Sequence, residues 1–517
     1  MASAGREIEL KLRIARADVP RLLRHSAVRA ARRAPARTAR LVSIYFDTAD
    51  DALARAGIAL RLRRDGTRWV QTLKGPADSG SGAGIASRPE FEHPLARGAQ
   101  PPPLEPAQWA ATPWRAVLDA AHQDHLVPRF ATDFSRTTVP VALDEGTRAH
   151  LCVDIGEVRD GRGGASPIAE VEIELDEGAL APLYRLAERL CAGVPLAVET
   201  RSKAARGYAL TRPAAARPAR AAHPPIGSDD AAAPALQTLL RACARQIADN
   251  ADGVLCDDDP EWIHQLRIGT RRLRSCLALL RDTVPEERRA AVAGDAQWLA
   301  RALGPARDLD VLVDETLPAL QPAIDAARPL ARFARRADEA RRQAREAARA
   351  AVASPRFTRL LLGAGELAAT PRLGVLAGAP AADALAQPAR AFARPWLARR
   401  HRKLLRLARK LPDATPEERH AIRLAAKRLR YVTEFFADAF PGRRTRAYRK
   451  ALARLQDALG AQVDAQVALR IAYAMEGTAS PAAQVLEAHI ARNAASADAA
   501  LMRRWRAFRA CPRFFPH

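Results

Sequence analysis

The chain has 517 residues, a formal net charge of +24 and 48% hydrophobic residues. That length exceeds one domain, and the hydrophobic content supports packed cores. No apolar run is long enough for a membrane helix, and the opening MASAGREIEL lacks the apolar core of a secretory signal, so a cytoplasmic chain that does not span a membrane is expected.

Six cysteines are scattered without a CxxC pair, which reads as reduced thiols rather than a disulfide framework or a zinc site. The charge is uneven. Residues 1–210 hold 30 Lys and Arg against 26 Asp and Glu, whereas the remainder holds 52 against 32. A basic C-terminal part favours polyanions: nucleic acid, an anionic membrane or polyphosphate. Arg and Ala are abundant throughout while Lys is rare, a bias that raises the pI without implying a partner.

In chain order, strands are predicted over 7–14, 41–47, 58–64, 68–74, 87–93, 131–141, 149–158 and 168–175, with turn signals such as RDGT and ALDEGT between them. Helices are predicted near 178–192 and 202–210. Residues 211–234 are rich in Pro and Ala and read as a linker. From about 235 the apolar residues recur at spacings of three and four, a helical pattern, with a second break expected around 371–390. The expected fold is α+β and multidomain. An antiparallel tunnel or barrel of eight strands spans 1–210. An all-α duplicated bundle spans 235–517, with repeats near 235–370 and 390–510.

The strands alternate charge with aliphatics. The first carries Glu7, Glu9, Lys11 and Arg13 on one face and Ile8, Leu10, Leu12 and Ile14 on the other. Later strands carry Arg61 and Arg63, then Lys74, then Arg88, Glu90 and Glu92, then Arg136, then Asp154, then Glu170, Glu172 and Glu174. A solvated face would mix in more Ser, Thr and Gln. About eight antiparallel strands can instead close with such faces inward and make a charged lumen. Arg and Lys there would hold phosphate oxygens. The acids would repel that anion unless divalent cations lay between them, and hard oxygen ligands suit Mg²⁺ or Mn²⁺. This is the pattern of a metal-dependent polyphosphate hydrolase.

EIELK resembles the ExExK signature of the CYTH family, the triphosphate tunnel metalloenzymes. YFDTADDALARAGIALRLRR (45–64), TLKG (72–75), RPEFE (88–92), TDFSR (132–136), VDIGEV (153–158), EVEIEL (170–175) and SKAARGYAL (202–210) resemble that family's further blocks, in order. The resemblance implies an eight-stranded antiparallel tunnel. It implies Glu7, Glu9, Asp154, Glu170 and Glu172 as metal ligands and Lys11, Arg61, Arg63, Lys74, Arg136 and Lys203 as triphosphate contacts. Arg88 and Glu90 would line the tunnel, and Glu174 shares the face of Glu170 and Glu172. Glu7, Glu9 and Lys11 would form the catalytic strand. The implied reaction is attack of a metal-activated water on a terminal phosphoryl group.

The C-terminal half repeats itself. HQLRIGTRRLRSCLALL from His264 matches HAIRLAAKRLRYVTEFF from His420 at an offset of 156, and LGPARDLD matches LGAQVD at the same offset. On a helix, His264, Arg267, Arg271 and Arg274 share one sector, and His420, Arg423, Lys427 and Arg430 repeat it. Two such helices face to face would make a groove for a linear polyanion. IHQLRIGTRRLRS, LGPARDLDVL, AAKRLRYVTEFF and LQDALG resemble blocks of the CHAD family, helical modules associated with inorganic polyphosphate. The resemblance implies those eight residues as the polyanion surface, extended by Arg399, Arg402 and Lys403.

The expected function is hydrolysis of inorganic triphosphate with Mg²⁺ or Mn²⁺, joined to polyphosphate binding, with polyphosphate granules as a candidate location. The competing readings are a non-catalytic polyphosphate-binding protein and a tunnel acting on thiamine triphosphate, nucleoside triphosphates or ATP cyclisation. Nucleic acid is disfavoured, because aromatics are 5% of the chain and do not interleave with the basic residues.

Overall fold

The computed structural model describes residues 3–78, 84–212, 216–281, 283–320, 327–370 and 379–515. Its contacts divide the chain into two compact units, Met1–Arg217 with Pro355–Pro371, and Pro218–Ser354 with Arg372–His517. No described helix is long and apolar enough to cross a membrane.

The first unit is a closed antiparallel barrel. Its strands are β1 (Ser3–Ile14), β2 (Arg37–Asp47), β3 (Ala59–Asp65), β4 (Arg68–Lys74), β5 (Ile85–Pro94), β6 (Val127–Ala142), β7 (Arg148–Arg159) and β8 (Ala165–Glu177). The order β5-β4-β3-β2-β6-β7-β8-β1 closes because β1 pairs back on β5. A short β9 (Leu196–Val198) adds to β1 and was not foreseen from the sequence.

Register aligns the charged faces. Lys11 lies opposite Glu172, Glu9 opposite Glu174, Arg136 opposite Asp154, and Asp154 opposite Glu170. A one-residue slip would turn every one of these charges to the other face, so the outer apolar packing also sets the inner site. That outer packing is complete: Leu10, Leu12, Leu60, Val171 and Ile173 are fully buried. Leu60 and Leu73 join Trp109 and Leu118 in one apolar cluster under the Arg115–Gln123 helix.

The Ala181–Cys191 helix buries Leu183, Tyr184, Leu186, Ala187 and Leu190, more than one face could hide. The second cover is the Pro355–Ala369 helix, which belongs to this unit although 137 residues separate it from Arg217. Thr358 donates its hydroxyl to the Leu196 carbonyl at 2.8 Å. Gly365 lies so close to Tyr184 that a Cβ there would sit 2.2 Å from the ring. Gly365→Ala is therefore expected to destabilise the barrel unit by about 1–3 kcal/mol, an overpacking cost. A thermal melt of the variant reads this as a drop of several degrees in the barrel's transition.

The second unit is all helical. Its two repeats start alike. Asp259 caps the Pro260–Leu279 helix by accepting from the Glu261 amide at 2.8 Å, and Thr415 caps the Pro416–Phe435 helix in a reciprocal box with Glu418. Proline occupies the first position of both. The two helices pack together. The expected linker is tied down where it is described: Asn250 exchanges two hydrogen bonds with the Ala219 backbone (2.9 and 3.0 Å), and Arg272 donates to the Ala222 carbonyl at 2.9 Å. Of the second expected break, 371–378 lie outside the described residues, and Ala379–Ala386 is a helix.

Candidate functional site

Inside the barrel, most of the charged residues meet an opposite one. Lys11 Nζ lies 2.9 Å from Glu9 and 3.2 Å from Glu172. Lys74 donates to both Glu7 oxygens at 2.5 Å and lies 3.2 Å from Glu90. Arg136 reaches Asp154 at 2.7 and 2.8 Å, Glu174 at 2.6 Å, and also Glu172. Lys203 reaches Asp154 at 2.7 Å, Glu172 at 3.0 Å, and Glu170. Arg63 pairs with Glu92 at 2.7 Å, and Arg61 lies 3.6 Å from Glu90. Lys203 and Arg136 also stand over the Phe134 ring, at 5.0 and 5.8 Å. All seven Lys and Arg predicted for the tunnel line one cavity of about 50 Å³, together with Glu7, Glu9 and Glu172.

The carboxylates gather into two groups. Glu7, Glu9 and Glu174 form one and Asp154, Glu170 and Glu172 the other, with one oxygen from each residue within 4.8 Å of the others. The first group takes in Glu174, whose role the sequence left open. Electrostatics separates the members. Burial would raise Glu7, but Lys74 and Lys11 hold it down at about 2. Burial, then repulsion from Glu172, pushes Glu9 up to about 7. Glu172 resists burial because Lys203, Lys11 and Arg136 hold it well below the usual carboxylate range. Six hard oxygen donors crowded this way fit Mg²⁺ or Mn²⁺ chemically, since a divalent cation would relieve the repulsion felt by Glu9.

Arg206 escaped the sequence reading. It is buried, donates to Glu170 and reaches the Pro167 carbonyl at 3.3 Å. Its signal was available: Lys203 and Arg206 are three apart on one helix, so both can face the same acids.

In the second unit, a cavity of about 830 Å³ lies between the two repeated helices. Eleven Lys and Arg side chains and no carboxylate line it. Of the eight predicted residues it holds Arg267, Arg271, Arg274, His420, Arg423 and Lys427. His264 and Arg430 are not among its lining. Arg399 and Lys403 line it, Arg402 does not, and Arg400, Arg428, Arg281 and Arg301 are added by the fold. At about 100° per residue, the groove faces the sector of Leu424, Arg428 and Tyr431, which leaves Arg430 off its edge.

The glycine of each LG block stands against an arginine. A Cβ at Gly304 would lie 3.3 Å from Arg267, and one at Gly460 would lie 3.8 Å from Arg423. Asp464 accepts from Arg423 at 3.0 Å, and Asp308, its counterpart, raises the pKa of Arg267. Burial and crowding by like charges still pull Arg267 down to about 10. Burial, then Arg271 and Arg423, pulls Lys427 down to about 7. Cations held this far below their ordinary values are poised for an anion.

Comparison with known proteins agrees with both halves. The CYTH domain family matches residues 5–208 and the CHAD domain family matches residues 238–473. The chain belongs to the CYTH family in its first half and the CHAD family in its second. An inorganic triphosphatase of Haemophilus influenzae is 30% identical over 176 residues, 33% of this chain and 46% of that protein, so the match spans less than half of the relative's length. A Mycobacterium tuberculosis protein is 28% identical over 427 residues, 76% of this chain and 75% of that one. The solved CHAD domain of Ricinus communis is 33% identical, covering 57% of this chain and 99% of that one, with a TM-score of 0.49. In this CYTH–CHAD chain the barrel is the CYTH unit and the basic cavity belongs to the CHAD unit.

Proposed function

We propose that the CYTH unit hydrolyses inorganic triphosphate with Mg²⁺ or Mn²⁺ and that the CHAD unit binds polyphosphate. The observation that carries this is the pairing inside the barrel, where the lumen bases Lys11, Lys74, Arg136 and Lys203 all rest on carboxylates of the two groups. A triphosphate alone would have to strip the bases from their acids. With divalent cations taking the acids, Lys11, Lys74, Arg136 and Lys203 turn to the phosphate oxygens. Metal and substrate therefore bind with positive linkage.

A bound metal would polarise the attacking water and neutralise phosphoryl charge. Asp154, Glu170 and Glu172 would hold one ion, and Glu7, Glu9 and Glu174 a second. Arg136 and Lys203 lie beside the first group, placed to hold the phosphoryl oxygens on which charge accumulates. Lys74 sits beside Glu7 at the other group, and Arg61 and Arg63 extend the basic wall. Arg88 lines the same wall with its buried Nε free of any hydrogen-bond partner among the described residues, a donor available to the substrate.

An inorganic rather than an organic triphosphate is favoured by the aromatic rings at the cavity. Tyr45 already stacks on Phe130 at 4.6 Å, and Phe134 lies under Lys203 and Arg136. Neither ring face is open to a base or a thiazole. The name of the Haemophilus relative points the same way.

The test is phosphate release from inorganic triphosphate by the full chain. Release with Mg²⁺ or Mn²⁺ that EDTA abolishes is the expected result, and a folded protein inert with both metals overturns the hydrolase reading. A panel of thiamine and nucleoside triphosphates reads the specificity.

The CHAD groove carries its own prediction. Lys427 faces Arg267 and Arg271 from the Pro260–Leu279 helix, Arg423 on its own helix, and Asp464 from the Arg443–Glu476 helix. Its amine is charged below about 7 and neutral above. A bound polyanion draws the proton back, so binding takes up a proton above that pH. Polyphosphate affinity is expected to fall as pH rises past 7, by up to about tenfold per unit. Titration calorimetry at pH 6, 7 and 8 in buffers of different ionisation heat measures both the slope and the proton uptake. Lys427→Arg should flatten it.

A further inference from the structure

Arg430 was expected on the polyanion strip with His420, Arg423 and Lys427. It faces another cavity, of about 430 Å³, between the Pro416–Phe435 and Arg443–Glu476 helices. Arg430, Thr433 and Glu434 come from the first helix and Arg446, Arg449 and Lys450 from the second. The spacings of three and four put each set on one helical face.

Two independent features mark this cavity as a site. The first is charge. Arg430 pairs with Glu434 at 2.9 Å, whereas Arg446, Arg449 and Lys450 make no ion pair among the described residues. The one lining carboxylate, Glu434, is thus taken up by Arg430, and the three remaining cations repel one another, a repulsion that a bound anion relieves. The second is the floor. Thr433 is 1% exposed, and its hydroxyl has no hydrogen-bond partner in the described structure. A buried hydroxyl left without a partner loses its hydrogen bonds to water and gains none in exchange. Mid-helix threonines ordinarily relieve that cost on the carbonyl one turn back, as Thr270 does with Leu266 at 2.9 Å. Thr433 does not.

We propose that this cavity is a second oxyanion site of the CHAD unit, taking a phosphoryl group. Thr433 Oγ1 donates to one oxygen from the floor. Arg449 and Arg446 supply planar donors from the wall, and Lys450 adds a point charge at the rim. A tetrahedral dianion suits a hydroxyl, two guanidiniums and an ammonium that converge from two helices. A carboxylate, flat and singly charged, would leave part of this donor set unused. The phosphoryl group is either free orthophosphate or part of a polyphosphate chain. The site shares the Pro416–Phe435 helix with the main groove but opens on another of its faces, so occupancy here bears on the helix that carries Arg423 and Lys427.

The experiment is arginine labelling of the full-length protein with phenylglyoxal, read peptide by peptide by mass spectrometry. Orthophosphate and a long polyphosphate are compared as protectants. Arg446 and Arg449 are expected to be protected at least threefold, and Thr433→Val, which removes only the hydroxyl, should abolish most of that protection. Arg449→Gln, at a partly exposed position, should do the same for Arg446. Melting curves confirm that both variants fold. Protection by orthophosphate assigns a free-phosphate site, and protection by polyphosphate alone places the cavity on the chain's path. Labelling that neither anion slows, or protection that survives Thr433→Val, overturns the proposal. Arg271 and Arg423 are read in the same spectra. Their protection reports on the main groove, so the two readings can fail separately.

Discussion

Glu9→Gln is expected to lower metal-dependent phosphate release from triphosphate by about 10²-fold or more, while the protein stays folded. Gln keeps the shape and one carbonyl oxygen but loses the charge that would bind a cation. Glu9 is a clean choice because, among the described residues, its one close ion pair is with Lys11, which keeps Glu172 as a second partner at 3.2 Å. Glu172→Gln should be as damaging to turnover and much worse for stability. Glu172 meets the buried Lys11 and Lys203 and the half-buried Arg136, and removing the carboxylate leaves three cations short of charge. Breaking a buried pair from one side costs about 3–5 kcal/mol. Phosphate release and thermal melting, measured together on both variants, separate the roles. Full activity in Glu9→Gln would remove this residue from the metal site.

The other large effect belongs to the CHAD groove. Arg271→Glu combined with Lys427→Glu turns two cations into two anions in the centre of a wall that has no carboxylate. Polyphosphate affinity should fall by at least about 10²-fold, and the salt dependence of binding should flatten. Stability should not suffer, because the new acids relieve crowding among Arg267, Arg423 and their neighbours. Binding titrations at two salt concentrations test both statements. Triphosphate hydrolysis by the same variant should be unchanged, since neither residue touches the barrel lumen.

The strands, the charged faces and the duplication were legible in the sequence because each is a local periodicity. All eight predicted strands form the staves of the barrel, since alternation with a period of two has one geometric meaning once one face must be dry. The helical repeat at offset 156 was equally plain, and its caps Asp259–Pro260 and Thr415–Pro416 lie at the same offset. What needed the tertiary structure is whatever depends on neighbours distant in the chain. Glu174 joins Glu7 and Glu9 only because β8 pairs with β1. Arg206 reaches Glu170 only because its helix packs on the barrel. The Pro355–Ala369 helix, read from its position as part of the helical half, packs on the barrel unit, because an amphipathic face says that it must be buried and not against what. Arg430 shows the same limit on a smaller scale. A helical wheel places it within one sector of Arg423 and Lys427, but the neighbouring Arg443–Glu476 helix divides that sector and gives Arg430 a cavity of its own. Sequence periodicity determined which residues share a face; the packing of elements far apart in the chain decided what each face meets.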